Sequence, residues 1–395
     1  MLFRSGVGAL VSGAEVALMG TRLREHALKL AMRLAKRLDR RQPDPAELGS
    51  ATIQHILVVS CTAIGDTLMS TPAIRSLRLA YPHAHLTLLI HPAYRELFAS
   101  LPGVNAMLGY RGGWKGFVRL ALTLHRQSFD LAVILHGNEP QATPLAYLSG
   151  ARWIFKLPNA GNPFQFLLSN REPQLRWEDF QHGIEQRLAT AALAGGAPTD
   201  WAMDMPVGDH ERLLVDDWLA RQGVTLNQRV LGLQAGASTV SRRWPAGRLA
   251  ELARRLLAAD PQLAIVLTGS AAELPLIERI AADIANPRAV ISAGAVPLAH
   301  LPALMARMSA LVTPDTGALH LAVAVGTPVI ALFAVSDWRR SGPAVALEKH
   351  TVIQKWRTCA PCLSKRCPYP EPPCMDLISV DEVEAACRQR LDLPT

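Results

Sequence analysis

The stretch Leu311–Phe333 constrains the fold most, because it predicts a strand, a helix and a second strand in quick succession. An apolar run ends at Pro314, a small-residue segment follows, and a second apolar run suits a buried parallel strand. A helix that begins near residues 315–317 leaves four backbone N–H groups without intrahelical partners. Such a helix end carries partial positive charge and can bind phosphate at the edge of an α/β sheet.

Four residues near this helix start are candidates for ligand contact. Thr316 supplies a hydroxyl, Gly317 permits close approach to the backbone, and His320 lies one turn further along the helix. The alternative interpretation is that Asp315 or Thr316 only caps the helix and that His320 packs in the core.

The same alternation of strands and helices recurs along the chain. Apolar runs that predict buried strands lie at residues 55–60, 86–91, 131–135, 229–234 and 263–270. With 395 residues, the chain is too long for one ordinary core. We expect an extension and linker over residues 1–50 and two open parallel α/β halves over residues 51–208 and 209–395. The loop after the first strand lacks a G-x-G-x-x-G motif, which argues against a nicotinamide enzyme.

Positive charge is concentrated at the N-terminus. The net charge is +8, and residues 1–42 hold nine Lys and Arg against three Asp and Glu. The remainder is nearly neutral, so no general affinity for nucleic acid is expected. A secretory signal and a membrane-spanning helix are not expected either.

An amphipathic helix is predicted from Leu23 to Leu38, with a leucine stripe and a basic opposite face. Such a helix can lie on an anionic membrane. The alternatives are a helix packed on the protein and a poorly ordered extension.

Two further stretches could carry chemistry. Asp66 follows the first strand at a helix start, where a carboxylate could act as a general base or merely cap the helix. The loop after the fourth apolar run carries Ser238, Thr239 and Arg242, which suit an anion. The alternative for this loop is a solvated segment anchored by Trp244.

Three blocks together resemble glycosyltransferase family 9, the lipopolysaccharide heptosyltransferases. They are residues 56–75, residues 236–245 and residues 313–333, and the resemblance spans about residues 54–386. It implies the GT-B fold, in which two Rossmann-like domains face each other across a cleft. The first domain would hold the acceptor and the second the nucleotide sugar, with inversion at the anomeric carbon and neither a cofactor nor a catalytic metal.

The resemblance also assigns roles to residues. Asp66 matches the family's proposed base, and Gly65 and Arg75 fall on the acceptor side. Arg242 stands where the family usually has a lysine, which retains the charge but changes its geometry. The expected donor-binding residues are Ser238, Thr239, Arg242, Glu273, Asp315, Thr316, Gly317 and His320, with Asp315 on donor hydroxyls, Thr316 and Gly317 on the diphosphate and Glu273 on the ribose.

Four cysteines near the C-terminus have spacings close to those of structural zinc sites. They are Cys359, Cys362, Cys367 and Cys374. Either a structural metal or reduced packing thiols would account for them, whereas a disulfide is not expected in the cytosol.

The sequence and the resemblance together predict an inverting glycosyltransferase that moves a sugar, with heptose the expected one, from ADP-heptose or a similar nucleotide sugar to a lipopolysaccharide core or related glycolipid acceptor. It would be cytoplasmic and peripheral at the inner membrane, where it meets its nucleotide-sugar donor and an anionic glycolipid acceptor. The rival hypotheses are a nucleotide-sugar epimerase or hydrolase of the same fold and a non-catalytic binder of nucleotide sugar or glycolipid.

Overall fold

The computed structural model of the chain describes residues 13–41, 43–137, 140–158, 161–170, 175–356 and 373–393. Its strands are β1 (His55–Ser60), β2 (His85–Ile90), β3 (Ala106–Gly109), β4 (Leu131–His136), β5 (Trp153–Lys156), β6 (Arg229–Gln234), β7 (Leu263–Thr268), β8 (Ala289–Ile291), β9 (Ala310–Pro314), β10 (Val329–Phe333) and β11 (Thr351–Gln354). Its helices are α1 (Gly13–Leu38), α2 (Ile64–Ala80), α3 (Phe117–Gln127), α4 (Ala142–Leu148), α5 (Gly183–Leu193), α6 (Asp209–Arg221), α7 (Ala246–Ala259), α8 (Leu274–Ile284), α9 (Leu301–Arg307), α10 (Gly317–Ala324), α11 (Trp338–Ser341), α12 (Pro373–Asp376) and α13 (Val380–Arg390).

The first sheet has the strand order β3-β2-β1-β4-β5, and all its strand pairs are parallel. Its central strands are almost wholly apolar because helices cover both faces. The strand order reverses direction between β1 and β4, and ligands of open α/β sheets bind beyond the strand ends at such a point. The residues that follow β1 and β4 are therefore well placed to form a site.

The second sheet has the order β11-β10-β9-β6-β7-β8 and is also parallel throughout. Here the order reverses between β6 and β9. The loops that follow these two strands contain Arg242 and Thr316, so both predicted anion-binding segments lie at one topological switch point. The predicted architecture of two parallel α/β sheets is confirmed.

Helix α2 of the first sheet packs against α10 of the second. A Cβ on Gly65 would lie 2.5 Å from the His320 ring, and a Cβ on Gly317 would lie 3.2 Å from Ile64. Since real Cβ atoms do not approach other heavy atoms at 2.5 Å, Gly65 allows the two helix starts to meet. Helix α6, which follows the proposed boundary at residue 208, packs on α9 beside the second sheet. We call the first sheet with its helices the first unit, and the second sheet with its helices the second unit.

The cysteine prediction falls largely outside the described residues, because Cys359, Cys362 and Cys367 lie there. Cys374, in α12, is buried in the apolar core around the second sheet. In the described part of the chain, no three His, Cys, Asp or Glu side chains are grouped as ligands of one metal ion. None of the helices described there is long and apolar enough to cross a membrane.

Candidate active site

A cavity of about 850 Å³ lies between the two sheets, at the carboxyl ends of their strands. Its lining includes nine of the predicted site residues: Gly65, Asp66, Ser238, Arg242, Glu273, Asp315, Thr316, Gly317 and His320. Gly65 and His320, which are 255 positions apart in sequence, therefore share one cavity, and the Asp66 carboxylate on α2 faces the predicted anion site of the second sheet.

The carboxylate of Asp66, in the first turn of α2, contacts three side chains. Its Oδ1 accepts a hydrogen bond from Arg187 Nη2 at 2.9 Å and lies 3.5 Å from His136 Nε2. Its Oδ2 accepts from the Thr62 hydroxyl at 2.9 Å, and that hydroxyl is also 2.7 Å from His136 Nδ1. These contacts fix the carboxylate. The N-cap residue of α2 is Ala63 and none of the described side chains caps this helix, so the alternative prediction that Asp66 merely caps it is wrong.

The electrostatic balance keeps Asp66 ionised. Burial opposes its ionisation, but His136, Arg187 and the Thr62 hydroxyl together hold the pKa of the carboxyl below its ordinary value. Burial, with a contribution from Arg187, lowers the pKa of His136 to about 4. Near neutral pH the site thus contains a carboxylate beside an uncharged imidazole.

Arg187 is the most deeply buried charged group of the site, with 1% of its side chain exposed. Besides Asp66 it donates from Nε to the Ser70 hydroxyl at 3.1 Å and from Nη1 to the Gly183 carbonyl at 2.8 Å. A buried guanidinium needs such partners because isolated buried charges are costly. Arg187 therefore joins α5 to the carboxylate on α2.

On the second sheet, the start of α10 is left open towards the cavity. Thr316 is its N-cap residue but makes no capping hydrogen bond, and its hydroxyl instead lies 3.2 Å from that of Thr313. None of the described side chains caps this helix. Its first N–H groups thus remain directed at the cavity, as phosphate binding at a helix start requires.

Arg242 lies beside this helix start. Its Nη1 is 3.4 Å from both the carbonyl oxygen and the Oδ2 of Asp315. The same Oδ2 accepts a shorter bond, 2.6 Å, from the Ser336 hydroxyl. The long contacts hold the guanidinium near the helix end without occupying its full donor capacity, so it can bind an anion there.

His320 lines the cavity although only 5% of the residue is exposed. Burial lowers the pKa of its imidazole, against the opposing attraction of Asp315 and Asp66. Among the described residues, none forms a hydrogen bond with its ring. The neutral imidazole of His320, which projects from α10 and packs against Gly65, is therefore available to a bound ligand.

Three predicted residues are placed differently from their expected roles. Thr239 is not among the lining residues, and its hydroxyl accepts a bond from Ser241. Glu273 lines the cavity, but its Oε2 caps the turn at Ser270. Arg75 lies outside the cavity.

Arg75 donates to the carboxylates of Asp200 and Asp204, each at 2.6 Å, and to the Thr199 hydroxyl at 3.0 Å. Its guanidinium therefore has a structural role in holding this loop, and the expected contact of Arg75 with the acceptor stays a prediction.

Sequence reasoning did not select Thr62, His136 and Arg187, which contact Asp66, or Ser336, which binds Asp315. His136 ends β4, next to the switch point, so the strand-end argument that selected Asp66 could also have selected it. Arg187 has no local signal, since it lies within a helix far from any strand end.

A second cavity of about 390 Å³ adjoins the first, and His136 lines both. Its other lining residues belong to the first unit and include Lys156, Asn162 and Gln186. It lies beyond the ends of β4 and β5. A ligand that extends from Asp66 into this polar cavity would contact the first unit alone.

Known proteins resemble this chain over most of its length. The sequence profile described as glycosyltransferase family 9 (heptosyltransferase) matches residues 117–372, more than half of the chain. The lipopolysaccharide core heptosyltransferase OpsX of Haemophilus influenzae is 24% identical over 73% of this chain and 82% of its own length. Lipopolysaccharide heptosyltransferase 1 of Pseudomonas aeruginosa is 26% identical over 80% of this chain and 88% of its own length.

Among solved structures, the ADP-heptose lipopolysaccharide heptosyltransferase II of Escherichia coli superposes with a TM-score of 0.70 at 23% identity. The match covers 86% of this chain and 98% of that chain, which confirms the predicted GT-B fold. The chain belongs to glycosyltransferase family 9 and is a glycosyltransferase.

Proposed function

We propose that this enzyme transfers heptose from ADP-heptose to a lipopolysaccharide core acceptor, with inversion at the anomeric carbon. The observation that carries the proposal is the arrangement of one cavity, where the ionised Asp66 of the first unit faces the uncapped start of α10 and Arg242 of the second. The names of the relatives supply the sugar and the acceptor class.

In the proposed reaction, Asp66 takes the proton of the acceptor hydroxyl as that oxygen attacks the anomeric carbon. The bond from this carbon to the diphosphate oxygen breaks, and its electron pair leaves with ADP. Attack from the face opposite the leaving group inverts the anomeric centre. Positioned general-base catalysis of this kind contributes about 10²–10⁴ in rate.

Arg187 keeps Asp66 in the state that this step requires. A guanidinium 2.9 Å from the carboxylate favours the charged form, so the base is ionised well below neutral pH. The same contact fixes the carboxylate in one orientation, which matters because proton transfer depends on geometry.

The leaving diphosphate is stabilised by Arg242, the Ser238 hydroxyl and the backbone N–H groups at Thr316 and Gly317. These donors are held in place before the charge develops, which is the most effective way to stabilise it. We expect no metal ion in this role.

Asp315 serves a different part of the donor. Its Oδ2 is engaged by Ser336, while its Oδ1 accepts no bond from the described residues and can bind a donor hydroxyl. Because a carboxylate repels phosphate, this assignment suits the sugar better than the diphosphate. We assign the neutral imidazole of His320 to the donor as well.

Glu273 borders the donor side of the cavity. Its Oε1 accepts no hydrogen bond from the described residues and can accept one from the ribose. We place the acceptor in the second cavity, close to His136. A lipid-anchored acceptor and a nucleotide sugar meet at the cytoplasmic face of the inner membrane, so we propose that the enzyme is cytoplasmic and peripheral there.

A donor screen tests the function. Nucleotide release should require both ADP-heptose and a core acceptor, and the acceptor should gain one heptosyl unit. Equal release without acceptor would favour the hydrolase or epimerase hypothesis. Tight nucleotide-sugar binding with no turnover under either condition would favour the non-catalytic binder.

A further inference from the structure

Helix α1 has two apolar faces, and the described part of the chain covers only one of them. On the covered face, Met32 is buried, and Leu28 and Ala35 pack against the apolar cluster of the first unit. The Arg33 guanidinium lies 5.9 Å from the centre of the Phe166 ring, and Lys36 Nζ lies 5.8 Å from that of Tyr147. This face attaches α1 to the protein.

Polar contacts at the end of the helix strengthen the attachment. The Tyr147 hydroxyl donates to Asp39 Oδ2 at 2.9 Å, and Arg41 Nη1 donates to the Gly150 carbonyl at 2.6 Å. Arg41 also pairs with Asp39 at 2.9 Å. Helix α1 is thus held in a fixed orientation on α4.

The opposite face carries a row of leucines directed at solvent. We name it the leucine ridge, and it consists of Leu23, Leu30, Leu34 and Leu38, which are 58–75% exposed. These positions fall within one stripe of a helix with 3.6 residues per turn. Single exposed leucines are common on protein surfaces, but a contiguous ridge along one helix marks an interaction surface.

Charge identifies what covers the ridge. Arg24 and Arg37 are exposed beside it, whereas Glu25, the one acidic residue between positions 23 and 38, is half-buried. A second copy of the helix would bring these cations towards each other. An anionic lipid surface neutralises them while its acyl region takes up the leucines.

We propose that the leucine ridge of α1 docks the enzyme on an anionic phospholipid bilayer in one orientation. Tyr147 of α4 contacts α1, and Thr143 of the same helix accepts a hydrogen bond from Asn162 at 3.4 Å. Asn162 lines the second cavity, where we place the acceptor. The orientation of that cavity towards the bilayer rests on the proposed function, whereas lipid binding itself does not.

Vesicle sedimentation of the full chain tests the docking. The parent should sediment with vesicles of phosphatidylglycerol and phosphatidylcholine, should bind phosphatidylcholine alone far less, and should dissociate as salt rises. Replacing the four ridge leucines by Gln should weaken binding by about 10-fold or more, because the leucines supply the apolar part of the affinity. The double variant Arg24→Gln/Arg37→Gln should also bind the vesicles more weakly, and its binding should depend less on salt concentration than that of the parent.

A matched control replaces Leu213, Leu226, Leu347 and Leu377 of the second unit, which are 51–69% exposed, by Gln. This variant should bind vesicles as the parent does, and both quadruple variants should retain the parent's circular dichroism. Equal binding by the ridge variant and the parent overturns the docking. The docking is also overturned if the parent does not bind vesicles but forms a dimer that the ridge substitutions abolish. Transfer to a soluble acceptor should be unchanged in the ridge variant, so failure of the docking and failure of the proposed reaction are distinguishable.

Discussion

Asp66 and Arg187 form a 2.9 Å ion pair between residues that are 121 positions apart in sequence. The pair joins the first turn of α2 to the middle of α5, and both helices pack closely against each other. Because Arg187 is also bonded to Ser70 and to the Gly183 carbonyl, it cannot move without breaking contacts within both helices. The position and the charge state of the proposed base therefore depend on the packing of the first unit.

Replacing Arg187 by Met should move the acidic limb of kcat/KM to higher pH. The guanidinium favours the carboxylate form, so its loss raises the pKa of Asp66 and the base becomes protonated at a higher pH. We expect turnover at neutral pH to fall by roughly 10-fold, the effect of losing about one hydrogen-bonded charge pair.

A pH–rate profile of purified protein measures this change. Arg75→Met is the matched control, since Arg75 is another ion-paired guanidinium, on α2 itself, but lies outside the cavity. It should cost stability and leave the acidic limb in place. An unshifted limb in Arg187→Met would contradict the role given to Arg187.

Arg242→Ala should weaken ADP binding. A charge-assisted hydrogen bond is worth about 1.5–3 kcal/mol, which corresponds to roughly a 10- to 150-fold rise in Kd. Calorimetry measures the affinity directly, and Arg254→Ala, which removes a guanidinium bonded to the Asp283 carbonyl, is the control. Equal ADP affinity in the parent and in Arg242→Ala would exclude the proposed diphosphate contact.

Transfer should persist in EDTA. Arg242 and the start of α10 supply the positive charge that a divalent cation provides in many other nucleotide-sugar enzymes. The rate of nucleotide release before and after exhaustive chelation is the measurement. Loss of the rate with the fold intact, followed by rescue with Mg²⁺ or Mn²⁺, would argue for a catalytic metal.

Acid should destabilise the fold through His182. Burial lowers the pKa of this imidazole to about 4, against an ordinary value near 6.5. Its Nδ1 accepts from the Ile184 N–H at 3.1 Å and its Nε2 lies 3.1 Å from the Gly342 carbonyl, an arrangement that fits the neutral ring with hydrogen on Nε2.

Since the unfolded chain binds this proton more readily, the stabilisation from His182 is complete above about pH 6.5 and declines as the pH falls towards 4. His182→Asn keeps an acceptor at the helix start but cannot titrate. Thermal melts from pH 7.5 to 4.5 should therefore show a steeper fall in Tm for the parent than for the variant. Parallel curves would show that His182 does not contribute to the acid sensitivity.

Sequence alone predicted the parts of the site that follow strands directly. Asp66 and Thr316 come after apolar runs bounded by turn residues, so strand and helix assignments placed them at the sheet edges. Ser270 and Glu273 form a capping-box pattern that is also visible in the sequence, and it accounts for the bonds that Glu273 makes in the structure.

Contacts that depend on packing could not be predicted in the same way. Arg187 is defined by its partner on α2, and nothing near it in sequence identifies that partner. The prediction of a basic face opposite the leucine stripe of α1 is wrong, because the opposite face carries the buried Met32 and the exposed cations Arg24 and Arg37 lie beside the stripe instead. The packing of α1 on the first unit buries Met32 and leaves Leu30 exposed, and the sequence pattern does not specify that choice.

The most direct test of the proposed reaction is the yield of heptosylated acceptor, measured by mass spectrometry, in parent and Asp66→Asn proteins. With ADP-heptose and a soluble core acceptor, the parent should form the product. Asp66→Asn should retain ADP affinity but form product about 10²–10⁴ times more slowly, the range typical of a lost general base. Asp200→Asn, an exposed carboxylate outside the cavity, should match the parent. Near-normal product formation by Asp66→Asn would contradict the account, because the carboxylate would then not act as the base.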